Sequence, residues 1–81
     1  MAKDQTENYK TKDLAEAAMQ ITQGQQFVGL EREGRIYWFI FLEKKECEQL
    51  ANTYYFGEVL VNARQFHETM SRLKGRIFAK S

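Results

Sequence analysis

The sequence predicts a single α+β domain in which an antiparallel β-hairpin packs against three helices. Three observations predict this class: a run of seven apolar or aromatic residues too short for an ordinary core helix, a two-residue break before that run, and three stretches with apolar residues at helical spacing. An 81-residue chain has room for one domain with one modest core. The expected element order is α-β-β-α-(β)-α, and the domain is expected to span residues 9–81.

The N-terminal part of the sequence is predicted to form a tail followed by the first helix. Residues 1–8 are polar, lack periodicity and are expected to form a disordered tail. Thr11 or Asp13 can cap a helix over residues 12–23, and Gly24 is placed to end it. That helix is indicated by apolar residues at i, i+3, i+4 and i+7, namely Leu14, Ala17, Ala18 and Ile21.

The strongest tertiary expectation is the hairpin. Residues 26–32 and 36–42 are the expected strands, and the pair Glu33-Gly34 has the length of a two-residue turn. The second strand consists wholly of apolar and aromatic residues, which suit a pleated surface. Both of its faces therefore carry apolar side chains, and one of them must form the core.

The two faces of this aromatic strand differ in composition. Side chains alternate between faces along a strand, and the face expected to point into the core carries Ile36, Trp38, Ile40 and Leu42. Three explanations stay open for the other face: coverage by the protein's own helices, a partner chain, or stacked nucleic-acid bases. The candidate partner surface is therefore formed by Tyr37, Phe39 and Phe41.

The C-terminal half predicts two more helices. The first is expected over residues 44–55, because apolar residues at helical spacing are flanked by charged ones and Gly57 provides a stop: Cys47, Leu50, Ala51 and Tyr54. Residues 59–61 are interpreted as a third, edge strand or as an extended link. Asn62 can then cap a helix over residues 63–79 whose apolar face carries Phe66, Met70, Leu73 and Ile77.

Composition excludes several classes of protein. Twelve basic and eleven acidic residues leave no global attraction to nucleic acid or membranes. Cys47 is the only cysteine, so neither an intramolecular disulfide nor a multi-cysteine metal site can form. The N-terminus lacks the apolar core of a signal peptide, and no segment approaches the roughly 20 apolar residues that span a bilayer. We expect a cytoplasmic protein.

Catalytic signals are nearly absent from the sequence. His67 and Ser71 are four residues apart on the last helix, but no third group is evident to orient the ring. One histidine and one cysteine do not supply the three or four ligands that zinc takes, and the glycines form no phosphate-binding loop. We expect a protein that is not an enzyme, with no cofactor, metal or small-molecule substrate.

The basic residues are concentrated near the C-terminus. Residues 62–81 contain five basic residues against one acidic residue, Glu68, which gives this segment a net charge of +4. A helix with this charge could contact nucleic-acid phosphates through Arg64, Arg72, Lys74, Arg76 and Lys80. The alternative is an ordinary solvated helix face whose cations are stabilised by the helix dipole.

Six short motifs occur in an order that resembles a family of small bacterial and phage proteins of unknown function. They cover about residues 9–78 and read Tyr-Lys-Thr-Lys-Asp-Leu (9–14), Val-Gly-Leu-Glu-Arg-Glu-Gly-Arg (28–35), Trp-Phe-Ile-Phe (38–41), Tyr-Phe-Gly (55–57), Val-Asn-Ala-Arg-Gln-Phe (61–66) and Leu-Lys-Gly-Arg-Ile-Phe (73–78). The resemblance implies a small cytoplasmic or phage-encoded α+β domain. It implies no catalytic residue, cofactor or substrate.

The sequence supports two functional hypotheses. The first is a non-enzymatic protein-interaction module, homodimeric, that binds through the aromatic strand or the basic last helix. It is motivated by the two-sided apolar strand in so small a chain. The second is a nucleic-acid-binding regulator that uses the basic C-terminal helix.

Overall fold

The computed structural model describes residues 7–80, which form a three-stranded sheet and three helices. The predicted α+β class is confirmed. The prediction of a disordered tail falls mostly on residues 1–6, which lie outside the described residues. The elements follow in the order β1 (Tyr9–Thr11), α1 (Leu14–Thr22), β2 (Phe27–Glu33), β3 (Ile36–Phe41), α2 (Lys44–Tyr55) and α3 (Ala63–Lys80).

The predicted hairpin is confirmed, with its turn one residue later than expected. Strands β2 and β3 pair antiparallel, and Glu33 lies opposite Ile36, so the two loop residues are Gly34 and Arg35. Gly34 has a φ of 62°, in the left-handed region that glycine adopts without steric cost. A glycine of this kind at the first of two loop residues is the pattern of a type II′ hairpin turn.

The third strand is β1, and it was not predicted. It pairs antiparallel with the other edge of β3, so the sheet order is β1-β3-β2. The segment 59–61, the alternative position for a third strand, is an extended link without strand pairing. Strand β1 has only three residues, two of them polar, and its pairing with a distant strand leaves no local pattern. Its addition makes the aromatic strand β3 central in the sheet.

The side of β3 that faces the helices is opposite to the predicted one. Phe39 and Phe41 are fully buried, whereas Ile36, expected in the core, is 38% exposed. The alternation of side chains was predicted correctly, but α1 and α3 pack on the side that carries Phe39 and Phe41, because the choice of side depends on distant elements rather than on the strand's own pattern. The core cluster on this side contains Ala17, Ala18, Phe39, Phe41, Cys47 and Leu73.

The opposite face of the sheet is covered by long polar side chains. Lys10 on β1 and Glu31 on β2 form an ion pair of 2.7 Å, and because both strands flank β3 this pair spans the central strand. Ile40, which pairs with Lys10 in the sheet, is consequently buried. The Trp38 indole is also held on this face, because its Nε1 donates a hydrogen bond to Glu33 at 3.2 Å.

The helices agree closely with the sequence pattern. Asp13 caps α1, since its Oδ1 accepts a hydrogen bond from the Glu16 amide at 3.0 Å. Asn62 caps α3 in the same way, through the Gln65 amide at 2.9 Å. The apolar face predicted for α3 packs on the core through Phe66, Met70, Leu73 and Ile77. No helix among the described residues is long and apolar enough to cross a membrane.

The orientation of β3 can be tested by truncating one side chain on each face. We expect Phe41→Ala to lower the free energy of unfolding by about 3–5 kcal/mol, because it leaves a cavity in the core. The matched variant Ile36→Ala, on the exposed face, should cost less than about 1 kcal/mol. Urea denaturation measures both changes, and an equal loss for the two variants would contradict the orientation described.

Candidate functional site

A buried carboxylate lies where three elements of the fold meet. Glu16, in the first turn of α1, is 2% exposed. Its carboxylate accepts hydrogen bonds from Thr11 Oγ1 at 2.6 Å and from the Tyr9 hydroxyl at 2.7 Å, both on β1. Gln20, one helical turn further along α1, donates from Nε2 at 3.1 Å. Strand β1 is therefore joined to α1 through a single side chain.

The same network reaches α2. The hydroxyl of Tyr55, the last residue of α2, lies 3.2 Å from Asp13 Oδ2 and 3.4 Å from Glu16 Oε1. Gln20 Nε2 also donates to the main-chain oxygen of Cys47 at 2.9 Å. These contacts hold the first turn of α2 against the C-terminal half of α1, and the C-terminal end of α2 against the start of α1.

Neutral donors, rather than a cation, compensate the Glu16 carboxylate. None of the ion pairs found within the described part of the chain includes Glu16. A buried carboxylate is tolerated only when its oxygens are hydrogen-bonded, and bonds to a charged acceptor are stronger than those between neutral groups. Burial, reinforced by Glu16, raises the pKa of Tyr9 above its ordinary value and that of Tyr55 to about 12. Both hydroxyls therefore remain protonated donors at neutral pH.

Cys47 belongs to the core, as predicted. It is fully buried, and its Sγ lies 3.3 Å from the main-chain oxygen of Leu42. Burial raises the pKa of the thiol to about 11, so the nucleophilic thiolate is scarce near neutral pH. Among the residues that the structure describes, no three or more His, Cys, Asp or Glu side chains are grouped to hold a metal ion.

The α2–α3 connector, residues 56–62, carries the densest group of exposed apolar side chains in the described chain. Phe56 is 82% exposed and Leu60 is 92% exposed. Together with the neighbouring exposed apolar residues they form a set that we call the connector patch: Tyr55, Phe56, Leu60 and Val61. These four residues lie within seven successive positions, and large exposed apolar groups of this kind commonly mark interaction sites.

The connector is held at both ends. At its start, the Tyr55 hydroxyl contacts Asp13 and Glu16, as described above. Near its end, Gln23 Nε2 donates to the main-chain oxygen of Leu60 at 3.1 Å. Between these points Gly57 has a φ of 78°, a conformation that side chains disfavour. The connector is thus held by residues at the two ends of α1, and the contact from Gln23 is to its main chain.

The aromatic surface predicted from the sequence is largely internal. Phe39 and Phe41 are core residues and cannot contact a partner, so their assignment to a partner surface was wrong. Tyr37 is half-buried, and its ring lies 5.6 Å from the Arg32 guanidinium. The Tyr37 hydroxyl is enclosed, with no hydrogen-bond partner among the described residues. Coverage by the protein's own helices is the explanation that holds for this face.

The predicted basic cluster is distributed around α3 rather than gathered on one face. Arg72 and Arg76 lie one turn apart, whereas Lys74, two residues from each, projects from the opposite side. Arg64 pairs with Glu68 at 3.3 Å. The Arg76 guanidinium lies 5.3 Å from the centre of the Phe27 ring. Lys80 is the last residue of the helix.

Sequence reasoning missed both the connector patch and the role of Glu16. One sequence signal for Glu16 was present: Glu16 and Gln20 are polar residues one turn apart on a helix whose other residues are mostly apolar. The exposure of Phe56 and Leu60 had no sequence signal, because it depends on where α2 and α3 pack.

Comparisons with protein-family models, with curated proteins and with solved structures found no match. The resemblance to a family of small bacterial and phage proteins therefore stays a prediction. Function has to be inferred from the chain's own geometry.

The Glu16 network can be tested by neutralising its acceptor. We expect Glu16→Gln to lower the free energy of unfolding by about 1.5–3 kcal/mol, because Tyr9 and Thr11 lose a charged acceptor in a buried site. Glu48→Gln, at an exposed position of α2, makes the same chemical change outside the network and should leave stability within about 0.5 kcal/mol. Thermal unfolding compares the two variants, and equal effects would argue against a structural role for Glu16.

Proposed function

We propose that this protein is a non-enzymatic protein-interaction module that forms homodimers and binds through the connector patch. The observation that carries the proposal is the exposure of Phe56 and Leu60 within a segment that hydrogen bonds of Asp13 and Gln23, the residues flanking α1, hold at its two ends. Large apolar and aromatic side chains supply most of the binding energy at protein interfaces. This assignment replaces the aromatic face of β3 as the binding surface.

The contacts that hold the connector also support binding. A segment that is already ordered loses less conformational freedom when a partner binds. The contacts of Tyr55 with Asp13 and Glu16, together with that of Gln23 with Leu60, hold the connector before any partner arrives. We infer that the patch acts as a preformed surface.

Size and charge favour self-association. A domain of 81 residues buries a smaller fraction of its surface than a larger domain does, and a formal net charge of +1 gives little repulsion between copies. We propose a cytoplasmic location, since the single thiol is compatible with a reducing compartment. A bacterial or phage origin is proposed on the sequence resemblance alone.

The connector patch can be tested with the double variant Phe56→Ser/Leu60→Ser. Both side chains are exposed, so the fold should be retained, while self-association should weaken at least about 30-fold, as expected when hot-spot residues are removed. Val28→Ser removes an exposed apolar side chain from β2 and is the matched control. Sedimentation equilibrium measures the dissociation constants, and unchanged self-association in the double variant would refute this binding surface.

Nucleic-acid binding is the second candidate function. Arg72 and Arg76 are exposed on one side of α3, and neither belongs to an ion pair found among the described residues. The stacking of Arg76 on Phe27 holds one of these cations in place. Cations fixed at the spacing of one helical turn can contact successive phosphates.

The nucleic-acid candidate is tested by the salt dependence of binding to labelled single-stranded RNA and double-stranded DNA. If two to four phosphates are contacted, affinity should fall about 10- to 150-fold between 50 and 200 mM salt. Arg72→Glu/Arg76→Glu should abolish binding measured by fluorescence anisotropy. Lys12→Glu/Lys45→Glu makes the same charge change elsewhere and should have a smaller effect. Binding that is absent, or insensitive to salt, would exclude this function.

A further inference from the structure

We propose that the outer edge of β2 binds an extended acidic peptide segment of another protein, which adds a fourth strand to the three-stranded sheet beside α3. This surface is separate from the connector patch, so the inference goes beyond the proposed function and does not depend on it. Three observations carry it: the free hydrogen-bonding groups of β2, the placement of the charged side chains of β2, and two unpaired cations on α3.

Strand β2 presents unpaired main-chain groups along one side. It lies at an edge of the sheet and, among the described residues, pairs only with β3. Glu33 and Ile36 close the two-residue turn and are therefore hydrogen-bonded to each other across the hairpin. Because the bonding direction alternates along an antiparallel strand, the N–H and C=O groups of Leu30 and Arg32 point away from β3. A row of such groups is complementary to another extended backbone.

The charged side chains of β2 are engaged within the sheet and its turn. Charges on an edge strand normally discourage pairing with another chain. Glu31 forms the ion pair that spans β3, and Glu33 accepts a hydrogen bond from Trp38 Nε1 at 3.2 Å. Arg32 donates from Nε to the main-chain oxygen of Gly34 at 2.8 Å. These contacts draw the charged ends away from the outer edge, which leaves its main-chain groups accessible.

Helix α3 supplies the charge that selects an acidic partner. The Arg76 guanidinium lies 5.3 Å from the centre of the Phe27 ring, at the start of β2, and Arg72 lies one turn away on the same side of α3. Both arginines are exposed, and no ion pair found within the described residues includes either of them. A strand added to β2 places every second side chain on the side of the sheet that α3 covers. Carboxylates at those positions complement the arginines.

An acidic peptide fits this edge better than a second copy or nucleic acid does. On the side that α3 covers, β2 itself carries Phe27, Leu30 and Arg32, so a second β2 brings no carboxylate to the arginines. Nucleic-acid phosphates match the arginines, but they supply no donor for the outward C=O groups of β2. Only an extended acidic peptide satisfies both the main-chain groups and the cations.

A capped peptide of alternating glutamate and valine is the direct probe. We expect isothermal titration calorimetry to show binding to the full chain. The same peptide with N-methylated amides should not bind, because methylation removes the N–H donors that pair with β2. When the unmodified peptide binds, the amide protons of Leu30 and Arg32 should become protected from solvent exchange. A peptide of alternating lysine and valine should bind at least about 10-fold more weakly.

Two substitutions of one residue isolate the main-chain contact. Arg32→Pro removes the side chain and an outward N–H, a change that an edge strand tolerates, whereas Arg32→Ala removes the side chain and keeps the N–H. We expect Arg32→Ala to bind the peptide like the native protein and Arg32→Pro to bind it at least about 10-fold more weakly. Circular dichroism checks folding, and the N-methylated peptide tests the same contact if Arg32→Pro does not fold.

A second pair of variants tests the contribution of the cations. Arg72→Gln/Arg76→Gln should weaken peptide binding about 3- to 30-fold, as expected for two exposed charge contacts. Lys12→Gln/Lys45→Gln removes the same charge elsewhere and should bind like the native protein. Equal effects of the two double variants would show that α3 does not contact the peptide and would overturn the inference.

The remaining outcomes separate this inference from the proposed function. Absence of binding at about 1 mM peptide, or equal binding of the N-methylated peptide, would overturn the inference. It would also be overturned if Phe56→Ser/Leu60→Ser abolished peptide binding, or if Arg32→Pro weakened only self-association, or if the arginines bound RNA but no peptide. Peptide binding by a chain that stays monomeric would support the edge of β2 while refuting the homodimer.

Discussion

The carboxylate of Glu16 has to be buried without a cation, and the arrangement of the surrounding elements follows from that requirement. Donors must approach from several directions, so Tyr9 and Thr11 bring β1 to one side of α1 and Gln20 occupies the next helical turn. Tyr55 brings the end of α2 to the same place. A three-residue strand and the end of α2 are thus held to α1 by polar contacts in addition to strand pairing and the small apolar core.

The network also connects the core with the surface that we propose to be functional. Because β1 is held against α1, the aromatic strand β3 has a neighbour on each edge and its Phe39 and Phe41 side chains fill the core. Because Tyr55 is held, the chain leaves α2 in a defined direction and Phe56 is directed outward. The packing of the core and the exposure of the connector patch therefore both depend on the Glu16 side chain.

Local patterns in the sequence were sufficient to predict every element that has a clear spacing of apolar residues or a capping residue. The bounds of α2 were predicted to the residue. The cap of α3 at Asn62 was predicted, and the cap of α1 was narrowed to Thr11 or Asp13, because capping depends on neighbouring residues alone. Strand β1 and the orientation of β3 were not recognised, since both depend on which distant elements pack together. The exposure of the connector could not be predicted from the sequence for the same reason. The candidate site that depends on this exposure was therefore missed as well.

Amide hydrogen exchange in Glu16→Gln tests most directly whether this carboxylate joins β1 and α2 to α1. We expect β1 and the last turn of α2 to lose protection while the β2–β3 hairpin keeps it, because the hairpin is stabilised by its own pairing. Glu48→Gln should match the native protein. Unchanged protection of β1, or an equal loss throughout the sheet, would contradict the role assigned to Glu16.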